Sequence, residues 1–394
     1  VTLRWLVAPQ EFKGTLTASE VAEALQAGLQ EAAPEVLLDV APLADGGPGT
    51  VDALLAGGAG EQRVLTVQGP LGAPVQAAWA LLESGRTAII EMAAASGLSL
   101  LRPEERDARR ASTYGTGELI RAALDAGCSR IIVGMGGSAT NDGGAGALTA
   151  LGYCFLDAQG QLLPPGGAAL RQMARVDITQ RHPRLTEVEL LAATDVTAPL
   201  LGPNGASQLF GPQKGADPQT VEQLEEALAW FAQGLAPEFI RVPGAGAAGG
   251  LGYGLAVLAG ANIASGYRLV AHGLRLERRV AVADVVLTGE GRFDRQTTLG
   301  KGPAALARTA KELGKPVVLF VGSTVHEEGL DTTLFQEIIE LGSPPFDKEA
   351  AVRALREAAA RWASTARHMK PHDERDRGHD REAGDEHLGS GGSM

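Results

Sequence analysis

The sequence predicts an α/β fold built on a parallel sheet, and three observations carry that expectation. Apolar runs of strand length near both ends of the chain are each followed by a loop and an amphipathic helix. In the C-terminal third, a strand, a helix and a second strand follow one another at the spacing of a right-handed βαβ unit. Glycine is in excess, 52 residues in 394, while aromatics make up only 4%. With no G-x-y repeat, that excess excludes collagen and marks tight turns and backbone-lined sites.

Taken in order, Leu3 to Val7 reads as the first strand, and the opening Val1 to Gln10, with one Arg, has its pattern rather than that of a signal peptide. Thr17 and Glu20 have capping-box spacing, and Val21, Ala24, Leu25, Gly28 and Leu29 form one helical face that stops before Pro34. Val36 to Leu43 is the second strand, running into the turn Asp45-Gly46-Gly47. The middle, from about Gln62 to Arg279, is less regular. It holds hairpin strands near Ala77 to Leu82 and Thr87 to Ile90, a helix from Gly117 to Ala126 and a strand from Arg130 to Val133. Val221, Leu224, Leu228 and Phe231 then share a helical face ending at Gly234. Asp284 to Leu287 is a buried-looking strand followed by a polar, Gly-rich loop. Pro303 sits at a first helical position, Gly314 closes that helix, and Pro316 to Val321 is the next strand. A last helix carries Val352, Leu355, Ala359 and Trp362 on one side.

Composition narrows the function classes. Apolar residues at 44% and charged residues at 21% fit neither a disordered nor a membrane chain, and the length suggests roughly two or three domains. Val242 to Tyr267 carries no charge, but PGAGAAGGLGYG is too rich in Gly and too poor in Leu and Ile for a span. Thirty-five Lys and Arg against 47 Asp and Glu give −12, a field that repels nucleic acid and anionic membrane. Cys128 and Cys154 are too few for a disulfide framework or a zinc cluster, which suits a reducing cytoplasm. From about Ala366 the chain mixes both charges with almost no apolar residues. That reads as a disordered tail or a frame-shifted extension, although four of the seven histidines lie there.

No P-loop, no G-x-S-x-G elbow and no kinase H-R-D or D-F-G set occurs, and His182, His272 and His326 are too scattered for a triad or a zinc site. The strongest local feature is RIIVGMGGSATNDGGAGAL, Arg130 to Leu148. An apolar strand runs into a Gly-rich loop whose N–H groups can form an anion nest, and a small-residue helix follows. Gly134, Gly136 and Ala139, with Asp157 downstream, also satisfy a dinucleotide fingerprint, so NAD binding stands beside phosphate binding and beside a ligand-free packed turn. Polar residues gather just after strands: Lys13, Asp45, Asp195, and the set Glu290, Arg292 and Asp294. Carboxylates at such ends hold magnesium or accept a hydroxyl proton, and Lys or Arg neutralises phosphate. With the Gly-rich loop, that set favours phosphoryl transfer.

Six blocks then give a resemblance. APQEFKGTLTASEVA, PLADGGPGTVDAL, STYGTGELI, VGMGGSATNDGGAG, TDVTAPLLGPNGASQLFGPQKGA and LTGEGRFDRQTTLGKGP together resemble the glycerate kinase family, type-1 class, in the family's order from Leu3 to about Ala363. The resemblance implies ATP-dependent phosphorylation of D-glycerate, at the 2-hydroxyl, with Mg2+ as cofactor and ATP as co-substrate. It also implies two α/β domains with the active-site cleft between them. A Rossmann/flavodoxin-like parallel-sheet domain would comprise residues 1–62 plus 280–365, an inserted domain residues 63–279, and the charged tail residues 366–394. D-glycerate and ATP would be the partners, with no nucleic acid and no membrane, and a homo-oligomer is left open. By matching motifs the site residues would be Asp195 and Asp294 as catalytic carboxylates, with Lys13, Asp45, Gly136, Gly137, Ser138, Asn141, Asp142, Asn204, Arg292 and Lys301 binding substrate or nucleotide. Which carboxylate is the base and which residue holds metal stays unassigned.

Three positions depart from the family's pattern. Gln10-Glu11-Phe12-Lys13-Gly14 stands where D-S-F-K-G is usual, Pro48 replaces an acid in D-G-G-E-G-T, and Arg295 replaces a small polar residue. Two readings therefore compete with the kinase: an NAD-dependent oxidoreductase using the Gly134 loop, and an anion-binding homologue that lost catalysis through the changes at Gln10 and Pro48.

Overall fold

A computed structural model describes residues 2–58, 60–82, 85–294, 302–325, 331–342 and 347–366. Strands β1 (Arg4–Val7) and β2 (Leu37–Val40) open the chain. The middle holds β3 (Gly60–Gln68), β4 (Pro74–Leu82), β5 (Thr87–Glu91), β6 (Arg130–Gly134), β7 (Cys154–Leu156), β8 (Arg175–Asp177), β9 (Glu189–Ala193) and β10 (Asn262–Ala264). β11 (Val285–Phe293), β12 (Val317–Thr324) and β13 (Glu337–Glu340) complete the set.

The first sheet takes its strands from both ends of the chain, in the order β2-β1-β11-β12-β13, with every pair parallel. Numbered within the sheet this order is 2-1-3-4-5, that of flavodoxin-like doubly wound sheets, and it places the topological switch point between β1 and β11. The second sheet runs β10-β9-β6-β5-β4-β3: its first four strands are parallel, and β5, β4 and β3 form an antiparallel meander. β7 and β8 make a separate hairpin.

Local sequence explains the first βα unit. Glu20 N–H donates to Thr17 Oγ1 at 3.2 Å and Thr17 N–H to Glu20 Oε2 at 2.9 Å, so the capping box is closed and the helix Ala18–Ala32 begins where the spacing predicts. Its buried face meets the last helix, Lys348–Ala366, and Gly28 is required there because a Cβ would overlap the Arg356 carbonyl. Trp5 and Trp362 close this layer edge to face, centroids 4.9 Å apart.

Alternate residues of the central strands face two different cores, as expected of parallel strands covered on both sides. Ile131 and Val133 pack with Leu119, Leu148 and Phe231, whereas Ile132 faces a second cluster with Ile89 and Leu191. That second cluster also contains Leu6, Leu43, Val286 and Leu319, so one continuous apolar core joins the facing sides of both sheets.

Three elements differ from expectation. β2 spans only Leu37–Val40, after which Ala41 to Ala44 stay buried as extended chain leading to Asp45. β3, unanticipated, is an exposed edge strand that begins at Gly60, just ahead of the expected boundary at 62/63. β11 continues through the stretch expected as loop, because Phe293 is buried against Phe335 and draws Glu290 and Arg292 into register with Val321 and Ser323. The uncharged Val242–Tyr267 stretch contains the buried helix Ala247–Ala259, and among the described residues no helix is long and apolar enough to cross a membrane. The charged tail lies outside the described residues apart from Ala366, which ends the last helix.

Candidate active site

In open parallel sheets, ligands bind outside the carboxyl ends of the strands at the switch point. In the first sheet that point is crossed by the loop after β1. Gln10 N–H donates to Gly289 O at 2.8 Å, and Phe12 N–H to Leu16 O at 2.9 Å, leaving Lys13 exposed at the tip of a tight turn. Gly291 makes the approach feasible, since a Cβ there would stand 3.2 Å from Phe12 Cα and 3.4 Å from Lys13 N. Arg292, exposed, lies at the same strand end with its Nε 3.8 Å from Asp294 Oδ2.

The second sheet presents the ends of β6 and β9, and the Asp45 loop lies across them. Met135 N–H donates to Ala193 O at 3.0 Å, and Gly136 N–H to Gly46 O at 3.4 Å. A Cβ on Gly136 would come 2.5 Å from Gly47 Cα and 3.3 Å from Pro48 Cδ, so the two loops cross backbone on backbone. Asp45 Oδ1 accepts Gly47 N–H at 3.1 Å. Just past β9, Asp195 accepts the Ser265 hydroxyl on Oδ1 at 2.7 Å and the Tyr267 N–H on Oδ2 at 3.1 Å. It thereby fixes the start of the Gly266–Gly273 helix, whose first glycine packs against the Asp45 carbonyl. Lys13, Asp45, Gly136, Asp195 and Asp294 are thus carried by strand-end loops of the two sheets, and Arg292 by the last residues of β11.

The departure at positions 10 and 11 has a geometric reading. The Gln10 amide packs against Gly302, at the head of the Pro303–Glu312 helix. Glu11 is the carboxylate that stands beside Asp45: its carboxyl is pushed above the usual range by burial first and by the Asp45 charge second, with Lys13 pulling the other way. A carboxylate at this loop is therefore moved by one residue, not lost.

Other expected residues serve the Gly-rich loop from inside. Asn141 and Asp142 are both 0% exposed. Asp142 accepts the Thr113 N–H at 2.8 Å, the Thr113 hydroxyl at 2.9 Å, the Gly144 N–H at 3.1 Å and the Gly146 N–H at 3.2 Å, while burial pushes its carboxyl up. Asn141 Nδ2 donates to Ser207 Oγ at 3.0 Å, and its buried Oδ1 has no hydrogen-bond partner among the described residues. Ala139 N–H bonds Ser96 O, and Leu98 N–H bonds Gly137 O, both at 2.9 Å, which ties the loop to the segment after β5. Ser138 is buried within this bridge, and Asn204 is exposed on the turn before the Ala206–Phe210 helix. Lys301 and Arg295 lie outside the described residues.

Two residues escaped the sequence reading. Lys214 is 1% exposed with its Nζ donating to Thr140 O at 2.6 Å, and burial lowers it to about 7 against the opposing pull of Asp142. Its setting in Pro212-Gln213-Lys214-Gly215 looks like a solvated turn, so no local signal marks it. Glu91 ends β5 partly buried, accepting Val51 N–H at 2.7 Å; a strand-end acid was the signal available. The dinucleotide reading loses its acid, because Asp157 accepts Gln159 N–H at 2.9 Å and Gln161 N–H at 2.8 Å within its own turn.

Comparison with known proteins decides between the readings. The family model described as the glycerate kinase family matches residues 5–370. The chain belongs to the glycerate kinase family. It is 43% identical over 351 residues to a glycerate 2-kinase of Escherichia coli (strain K12), covering 86% of this chain and 92% of that one. It is 45% identical over 350 residues to a glycerate kinase of Haemophilus influenzae, with the same coverage of 86% and 92%. A crystal structure of a candidate glycerate kinase 2 from Salmonella typhimurium LT2 superposes with a TM-score of 0.81 at 42% identity, over 93% of this chain and 98% of the other. Membership makes the chain an enzyme of the kinase class and settles its α/β fold.

Proposed function

We propose that the chain transfers the γ-phosphoryl group of ATP to the 2-hydroxyl of D-glycerate, releasing ADP and 2-phosphoglycerate. The observation that carries this reading is the crossing of the Asp45 loop over Gly136, where Gly136 N–H reaches Gly46 O and the helix start held by Asp195 packs against the Asp45 carbonyl. Support for the position of transfer is the name of the Escherichia coli relative, a glycerate 2-kinase. The domains fall around the two sheets, residues 1–62 plus 280–365 against 63–279, with the substrates in the cleft between them. The reducing cytoplasm expected from two lone cysteines suits such an enzyme.

Glycerate brings a carboxylate and ATP several phosphate charges, so the site needs cations. Lys13, Arg292 and Lys301 supply them, and the backbone at Gly137 and Ser138 is where the Gly-rich loop meets phosphate oxygens. Asn141 and Asp142 act through that loop by holding its shape from beneath. Asn204 approaches from its exposed turn. Asp294 or Asp195 takes the proton of the attacking hydroxyl as its oxygen bonds to the γ-phosphorus. The bond from that phosphorus to the bridging oxygen breaks, and ADP leaves with the electron pair.

Magnesium fits this donor set at Glu11 and Asp45. Among the described residues no group of three acids, histidines or cysteines could cage a metal alone, but magnesium in kinase sites takes one or two carboxylates together with phosphate oxygens and water. Glu11 and Asp45 are like charges, both partly buried; the Asp45 charge pushes the Glu11 carboxyl up, and a divalent cation relieves that repulsion. When bound, the ion offsets charge on the phosphates. A coupled assay of ADP formation with D-glycerate, ATP and magnesium tests the reading, and phosphorus NMR of the product tests the position of transfer.

A further inference from the structure

We infer that Glu91 is a positioning residue for the phosphoryl-transfer site: its carboxylate, carried by the second sheet, caps the first turn after the Asp45 loop and holds that loop against Gly136. This rests on the kinase reading of the site. The helix Thr50–Ala56 starts at Gly49, which has φ of 89° and offers no side-chain cap of its own. Glu91 supplies the missing acceptor from another strand: Oε1 takes Val51 N–H at 2.7 Å, while Thr50 N–H bonds Gly47 O at 3.3 Å within the loop itself. A first-turn donor ending on a partly buried carboxylate from the other sheet anchors the loop at its helix end.

The anchor lies where the site is most sensitive to displacement. Glu91 pairs in register with Gly134, the residue that opens the Gly-rich loop. The chain upstream of Val51 runs from Asp45-Gly46-Gly47-Pro48, whose backbone crosses Gly136 with no spare room. A shift at Gly49 therefore moves Asp45 relative to Asp195 and to the Gly-rich loop together. Burial pushes the Glu91 carboxyl above the usual range, and Asp52, on the capped helix, adds repulsion of the same sign. A raised value means that the carboxylate is lost as pH falls, beginning above the ordinary glutamate range. A protonated Glu91 offers the Val51 N–H only a neutral carbonyl oxygen, a weaker acceptor than the carboxylate.

The test combines hydrogen exchange with kinetics on the full chain. In Glu91→Gln the charged acceptor of the Val51 N–H becomes a neutral amide, so exchange of the Val51 amide is expected to rise by about tenfold or more while other amides hold. The ratio kcat/KM for glycerate is expected to fall about tenfold, and the acid limb of its pH profile to move to lower pH. Glu91→Asp, which keeps the charge, is expected to keep the acid limb. Unchanged exchange at Val51, or a Glu91→Gln profile superimposable on that of the unaltered enzyme, overturns the assignment. If Glu91→Gln does not fold, the unaltered protein answers alone: as pH is lowered from about 7 to about 4 the Val51 amide must lose protection in step with the acid limb, and a limb without that loss overturns it. Exchange needs no substrate, so it stands apart from ADP formation, on which the kinase reading depends.

Discussion

Lys214 donates its ammonium group to the carbonyl oxygen of Thr140 at 2.6 Å, and both residues are shut off from water, at 1% and 0% exposure. Thr140 directly precedes Asn141 and Asp142, so this bond ties the Pro212–Lys214 turn to the Gly-rich loop. A lysine buried this deeply is held to about 7 by desolvation, with Asp142 as the opposing charge.

The first prediction concerns pH and stability at this pair. The folded-state value of Lys214 lies below that of the unfolded chain, so between about 7 and about 10.4 the unfolded state binds more protons and stability rises with pH. Lys214→Met removes that gain and leaves the Thr140 carbonyl without its donor, a loss of about 1–3 kcal/mol. Urea denaturation at neutral and alkaline pH is expected to show the unaltered protein gaining on the variant as pH rises. A constant gap between the two would show that Lys214 does not titrate in this window.

Gly136→Ala tests the loop crossing. The new methyl would meet Gly47 Cα at 2.5 Å, and backbone cannot turn aside as a flexible side chain can. Overpacking of this kind typically destabilises by about 1–3 kcal/mol. Separation of the loops is expected to lower kcat/KM for glycerate far more than Tm, and a variant with kinetics unchanged would remove the crossing from the site.

Asp195→Asn and Asp294→Asn separate catalysis from bracing. At Asp195 the amide keeps one acceptor for the Ser265 hydroxyl or the Tyr267 N–H and loses the other. A base or metal role predicts a fall in kcat of about 10²-fold or more at either position, with circular dichroism unchanged. Raising magnesium is expected to restore part of the activity of a metal ligand's variant and none of a base's variant. If both variants stay within a few-fold of the unaltered enzyme, neither carboxylate does chemistry, and Asp45 becomes the next residue to test.

What the sequence disclosed follows from how local each signal is. The Thr17–Glu20 capping box, Pro303 at a helix start and the 3.6-residue face of the Lys348–Ala366 helix are written within a turn or two of chain, and the structure reproduces them. β3 was not legible because an exposed edge strand has no buried face to impose alternation. The last two-thirds of β11 reads as loop because Gly289 and Gly291 interrupt it; only its pairing with β12 and the Phe293–Phe335 contact make it strand. The six motif blocks identified the family, and strand-end position alone drew attention to Lys13, Asp45 and Asp195. The motif match pointed to Asn141 and Asp142 without revealing that tertiary contacts bury them, and nothing local distinguished Lys214 from a solvated turn lysine.

Phosphoryl transfer to glycerate is tested most directly by ADP formation by the full chain with saturating D-glycerate, ATP and magnesium, with the product read by phosphorus NMR. Turnover is expected in the range of about 1–100 per second, as for other kinases, abolished when glycerate or magnesium is withheld, with a single product resonance from 2-phosphoglycerate. A pure 3-phosphate would overturn the position of transfer. ADP formation no faster than in the absence of glycerate would show that the chain does not phosphorylate glycerate.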